Sequence, residues 1–234
     1  MAGCAAGKQE SRPPPDDVPK TPLNAPARAP SASVEQLPEC PPDIVEEDWL
    51  EQGLSRSIRA RAWVPSLSLT DLGFVAGSSA EQLFQQEVSL ASGTVEVIGL
   101  GAPTRKSDWG ALVFARPHAQ GHCVVNGWST SLFAPMTLSL ADSWRSPDGR
   151  FAIFLLKLLT EPEKGKPEVR WVSLGTDGHR AWIALGEPPQ HQLIAPTVTF
   201  FRNGKDLYVD IHQRYITRLR LGPDGHFIVP PKAK

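Results

Sequence analysis

The sequence predicts an α+β domain, mainly antiparallel β, in which N-terminal helices precede a β-meander. Three observations carry this. Two stretches before position 93 read as helices with start and stop signals. After Gly93 the chain breaks into eleven short segments rich in Val, Ile, Phe and Trp. Between several of these lie explicit tight turns, Asp148-Gly149, Asp177-Gly178, Asn203-Gly204 and Asp224-Gly225, whose glycines supply the positive φ of a hairpin. A curved sheet, an open barrel or a sandwich would each accommodate such a meander.

The first 42 residues stand apart. They hold ten of the 23 prolines, in runs such as Arg12-Pro13-Pro14-Pro15-Asp16-Asp17, and cannot bury enough apolar surface to fold. The sequence therefore divides into a disordered Pro/Ala-rich tether over 1–42 and a single domain over 43–234. The first helix is expected over 43–52, with acids in its first turn and Gly53 beyond its end. Residues 54–77 read as an edge strand or a loop. The second helix is expected over 78–91. Ser78 and Glu81 form a capping box, Leu83, Phe84, Glu87, Val88 and Ala91 share a mostly apolar face, and Gly93 stops it.

Strands are expected over 94–100, 111–116, 122–128, 136–143, 151–159, 168–174, 180–185, 198–202, 207–212, 215–221 and 226–229. The segment 151–159 has almost no polar side and belongs in the middle of the sheet. In 215–221, Arg218 and Arg220 face one way and Leu219 and Leu221 the other, giving one wet and one buried face. Three turns echo one another: Ser146-Pro147-Asp148-Gly149-Arg150-Phe151, Leu174-Gly175-Thr176-Asp177-Gly178-His179 and Leu221-Gly222-Pro223-Asp224-Gly225-His226. The first resembles the Ser-Pro-Asp-Gly hairpin of TolB-type propeller blades. The unequal spacing and short strand-bearing region favour ordinary hairpin turns over a propeller.

A net charge of -1 and a sequence pI near 6.6 argue against a dedicated nucleic-acid binder. No apolar run approaches the roughly 18 residues of a membrane-spanning helix. Chemistry-bearing motifs are sparse. His118, His122 and Cys123 offer two imidazoles and a thiol, but no CxxC or HExxH partners them, and a turn with solvated histidines is the plainer reading. Ser129 sits in Gly127-Trp128-Ser129-Thr130-Ser131, which lacks the last glycine of a nucleophile elbow. Gly99-Leu100-Gly101 lacks the third glycine of a dinucleotide loop. His179 and His226 each follow an Asp-Gly turn. Trp171 and Trp182 fall on the two arms around Asp177-Gly178, close to opposite each other. They are a candidate platform for a glycan or protein partner, with core packing as the alternative.

The opening Met1-Ala2-Gly3-Cys4, with the Pro-rich stretch behind it, resembles the end of a bacterial lipoprotein signal. The charged and apolar parts of such a signal are absent. The resemblance implies acyl chains on Cys4, a disordered tether behind it and, from Ala5 in the following position, an outer-membrane destination. Extended at about 3.1 Å per residue, the tether would hold the domain on the order of 100 Å from the bilayer. Lipidation of Cys4 would leave Cys40 and Cys123 as an even pair able to form a disulfide in an oxidising periplasm. The expected role is a non-enzymatic, cofactor-free envelope lipoprotein that binds the membrane through its anchor and a protein or glycan through its domain. The alternatives are a hydrolase or metal-dependent enzyme on the same sheet, or a cytoplasmic domain with a disordered tail.

Overall fold

The computed structural model describes residues 39–46, 60–73, 81–101, 109–131, 136–161, 165–185 and 192–230. Among these residues there is no helix; fourteen strands form three antiparallel sheets. They belong to one compact unit, Leu37–Lys234.

The first sheet has the order β1-β5-β4-β3-β2 and comprises β1 (Trp63–Val64), β2 (Glu81–Leu90), β3 (Gly93–Gly101), β4 (Trp109–His118) and β5 (Gly121–Ser131). The second comprises β6 (Met136–Arg145), β7 (Ala152–Thr160), β8 (Glu168–Thr176), β9 (Ala181–Leu185) and β10 (Leu193–Ile194). Its order is β10-β8-β7-β6, with β9 also pairing β8. The third runs in chain order through β11 (Thr197–Asn203), β12 (Asp206–His212), β13 (Ile216–Leu221) and β14 (Phe227–Ile228).

Side-chain alternation explains how the sheets stack. Val95, Val97, Leu112 and Phe114 from the first sheet meet Leu138, Phe154, Leu156, Val172 and Leu174 from the second. The Phe114 and Phe154 rings lie 5.7 Å apart at the centre of this core. The other face of the second sheet, through Leu155, Trp171 and Leu185, meets Val198, Val209 and Ile211 of the third. The outer face of the first sheet, through Ile98, Leu100, Ala111 and Val113, is covered by Val64, Leu67 and Leu72. Strand β7 is therefore covered on both faces, as the apolar run from Phe151 to Leu156 and the near absence of a polar side predict. Each fully buried Ile, Leu or Phe in it contributes roughly 1.5–3 kcal/mol relative to exposure.

All eleven expected strands are present, with no end shifted by more than three residues. The expected helices are not, so the α+β assignment is corrected to all-β for the described residues. Of the helix expected over 78–91, the described part is mostly β2, paired with β3 along its length. Phe84, Gln86, Val88 and Leu90 point inward while Gln85, Glu87 and Ser89 point out. Two features hide this alternation. A register shift between Gln82 and Phe84 puts Leu83 and Phe84 side by side. Gln86 interrupts the apolar series, its amide donating to the Ser143 hydroxyl at 3.1 Å. Phe84 also lies across Gly99, where an added Cβ would come within 2.1 Å of the ring, so this glycine serves packing.

Of the helix expected over 43–52, residues 47–52 lie outside the described residues. Pro42–Ile44 form a turn, in which the Ile44 amide donates to the Pro41 carbonyl. Ile44 is buried in the main core, which brings the beginning of the folded chain back to at least Cys40. Within 54–77, the described part supplies β1 and the turns that cover the first sheet.

Candidate functional site

The meanders bring four turns to one end of the stack. The Ala91 amide of the β2–β3 turn donates to the Gly149 carbonyl of the β6–β7 turn at 2.8 Å. The Ser92 hydroxyl donates to the Asp177 carbonyl of the β8–β9 turn at 2.5 Å. The fourth turn, between β13 and β14, is joined through Trp182, whose indole N–H donates to the Gly225 carbonyl at 3.0 Å. The three echoing sequences are thus gathered in space, although they are unevenly spaced along the chain.

Each Asp-Gly turn delivers a ring behind it. Phe151 follows Asp148-Gly149, Trp182 follows Asp177-Gly178, and His226 follows Asp224-Gly225. With Trp144 they form a row, Trp144–Phe151–Trp182–His226, with successive centroid distances of 5.9, 6.0 and 6.5 Å. Trp182 sits against backbone. A Cβ on Gly175, its partner on β8, would lie 2.4 Å from the indole, and one on Gly225 would lie 2.6 Å from it. Only glycine at 175 leaves room for the ring.

Two adjoining clefts open along this row. One, of about 410 Å³, lies between the β6–β7 turn and the third sheet, with Trp144, Phe151 and Leu207 among its walls. The other, of about 350 Å³, is bordered by Ser92, His179 and Trp182. Arg150, Phe151 and Pro223 line both.

Ion pairs set the polar rim. Arg150 Nε donates to Asp148 at 2.5 Å, and Arg220 donates to Asp206 at 2.9 Å. The Ser146 hydroxyl, the Arg150 amide and the Arg150 guanidinium together hold the Asp148 carboxyl down at about 2. This carboxylate is an acceptor at any physiological pH. The guanidinium groups of Arg150 and Arg180 lie 6.0 Å from the Phe151 and Trp182 centroids respectively, within reach of the ring faces.

At the edge of the second cleft the segment after Cys40 is fastened down. Asp43 takes a hydrogen bond from Arg116 at 2.8 Å and lies 3.0 Å from His179 Nδ1. Arg116 first, then His179, keep its carboxyl below the usual range. The Val45 amide donates to the His179 carbonyl.

The residues singled out from sequence fall elsewhere for the most part. Cys4 lies outside the described residues. Cys40 and Cys123 are joined by a disulfide spanning 83 positions. Cys123 therefore has no thiol to offer a metal. His122 Nε2 faces Glu96 at 3.4 Å, and His118 lies past the Pro117–His122 pair at the hairpin end. Among the described residues, no three His, Cys, Asp or Glu side chains are grouped closely enough to hold a metal ion. Ser129 is fully buried in β5 opposite Ala111.

Trp171 and Trp182 are not partners. Trp182 pairs with Gly175, while Trp171 lies opposite Lys157 and Leu193. Trp171 is buried, its N–H donating to the Ala195 carbonyl at 2.9 Å, so it offers no open face. Trp182 belongs instead to the row at the turn end. Sequence reasoning passed over Trp144, Arg150, Phe151 and Arg220. The available signal was the recurrence of an aromatic or His shortly after each Asp-Gly turn.

Comparison with protein-family models, curated proteins and solved structures finds no match to this chain.

Proposed function

We propose that this protein is a non-enzymatic binding domain of the bacterial envelope, carried on a Pro-rich tether from a lipid anchor at Cys4 and directed to the outer membrane. The observation that supports this most is the Cys40–Cys123 disulfide. Such bonds persist in oxidising compartments and are rare where thiol reductants are maintained. With those two sulfurs joined, Cys4 is the remaining cysteine of the three. Several acyl chains on one cysteine, each methylene contributing about 0.8 kcal/mol, hold firmly. The clefts at the turn end supply a surface suited to a ligand.

The experiment is metabolic labelling with a palmitate analogue in a bacterial host, expressing the reading frame together with its upstream DNA. Label that enters the wild-type chain and is lost in Cys4→Ser, with the labelled protein in the membrane fraction, supports the anchor. A chain that takes up no label, or the same label in Cys4→Ser, refutes it. Alkylation of unreduced extract, with Cys40 and Cys123 protected, reports the compartment independently.

A further inference from the structure

We infer that the β12–β13 end of the third sheet is a membrane-contact site that docks on a bilayer surface rich in anionic phospholipid. This goes beyond the reading above, in which Cys4 alone attaches the chain, and it stands on residues of the folded domain.

Three observations converge. The first is exposure. His212 pairs with Ile216, so Gln213, Arg214 and Tyr215 form a three-residue turn. Tyr215 is 74% exposed, Ile216 64%, and Ile194, tied to this turn, 50%. Large apolar side chains gathered at one exposed tip mark a contact site. The turn lies at the opposite end of β12 and β13 from the residues that line the clefts, so it presents a separate surface.

The second is charge. No Asp or Glu occurs in 192–197 or 211–217. Among the described residues no carboxylate pairs with Arg214, whose guanidinium lies 5.8 Å from the Tyr215 ring centroid. Acids on the adjoining strands are already matched: Glu168 with Arg170, which lies opposite Ile194, and Asp210 with Arg218. Arg214 is left as uncompensated positive charge, and His212 can only add to it. A surface of lipid phosphates complements this. A second copy meeting the tip about a two-fold axis would instead bring two Arg214 groups together with no tip carboxylate between them.

The third is polarity. The Gln213 amide donates to the Tyr215 carbonyl at 3.2 Å, and the Gln213 side chain donates to the Ile194 carbonyl at 2.9 Å. Polar groups partnered within the tip can enter an apolar layer without the cost of an unmade hydrogen bond. Tyr and Arg, each with an apolar body and a polar end, suit the depth of the headgroups.

The test uses the full-length chain carrying Cys4→Ser, which lacks the sulfur of the proposed anchor, so that failure of the anchor and failure of this site are read separately. Co-sedimentation is measured with vesicles of phosphatidylcholine alone and of phosphatidylcholine mixed with phosphatidylglycerol. Partitioning onto the anionic vesicles is expected, falling with added salt and weak on the neutral ones. Tyr215→Ser/Ile216→Thr should reduce it roughly tenfold, because two apolar side chains lose their burial. Arg214→Gln should reduce it about fivefold on anionic vesicles, the effect of one arginine near such a surface, and leave neutral vesicles unaffected. Val45→Ser, at an exposed apolar side chain beside the β8–β9 turn, should change nothing. Equal urea midpoints separate lost contact from lost fold, and Arg214→Gln decides alone if the double variant does not fold. The inference is overturned if anionic vesicles bind no more than neutral ones, if the tip variants bind as wild type, or if Val45→Ser costs as much as they do. It is also overturned if the tip variants abolish a dimer seen by sedimentation velocity, which would make the tip a contact between copies.

Discussion

Removing the disulfide tests how the start of the folded chain is held. The bridge closes a loop of 83 positions between Cys40, at the head of the domain, and Cys123, inside β5. On the loop-closure relation, that constraint on the unfolded chain stabilises the fold by about 4.5 kcal/mol at 25 °C. For a domain near 190 residues this corresponds to a Tm loss of roughly 9–18 °C. The comparison is wild type, oxidised and fully reduced, with the Cys40→Ala/Cys123→Ala double variant, by urea and thermal unfolding. The reduced protein and the double variant should agree, with a lower midpoint and a somewhat steeper urea dependence, because the opened unfolded chain exposes more surface. Ile44, buried in the main core, and the Asp43–Arg116 pair should keep the segment docked in the folded state. The loss is then global rather than local. A double variant within about 1 kcal/mol of the oxidised protein would refute the reasoning, since the loop would already be closed in the unfolded ensemble.

Three further outcomes are expected. Gly175→Ala places a methyl 2.4 Å from the Trp182 indole and should cost about 1–3 kcal/mol in urea unfolding, with a changed fluorescence maximum; a spectrum and midpoint equal to wild type would contradict the packing described. The Asp148 carboxyl is depressed from 3.8 to about 2, so its contribution is fully present above 3.8 and lost as pH falls toward 2; Asp148→Asn should flatten the acid limb of a stability–pH curve in that window, and an unchanged limb would count against the turn network. Asp43→Asn should speed hydrogen exchange at the Val45 amide, whose acceptor is the His179 carbonyl, while leaving β7 amides protected.

The parts of the fold visible in the sequence are those whose signal is local. Strand β7 announces itself because both its faces are buried and its residues need no alternation. The hairpins are marked by glycines that do adopt positive φ, at 149, 178, 204 and 225. Strand β2 was hidden because its inward Gln86 finds a partner 57 positions away, on β6, and a short window cannot see that hydrogen bond. Its Leu83–Phe84 doublet, produced by the register shift, imitates the spacing of a helix face. The site was hidden for a related reason. Each Asp-Gly turn is legible alone, but their meeting depends on which ends of which sheets are stacked, and that is a property of the whole topology. The pairing of Trp171 with Trp182 failed on register: the short β9 reaches Gly175 rather than Trp171.

The disulfide also decides where a pull on the leading segment would be felt. Tension arriving at Cys40 passes through the sulfur bridge into β5, a strand with neighbours on both sides. The stretch between the two cysteines is bypassed and carries no load while the bond is intact. Reduction would put that stretch in series with the rest and release on the order of 300 Å of additional chain under force. The bridge thus acts as a mechanical short circuit: while it is intact, it sets how far the leading segment can be drawn away from β5 under load.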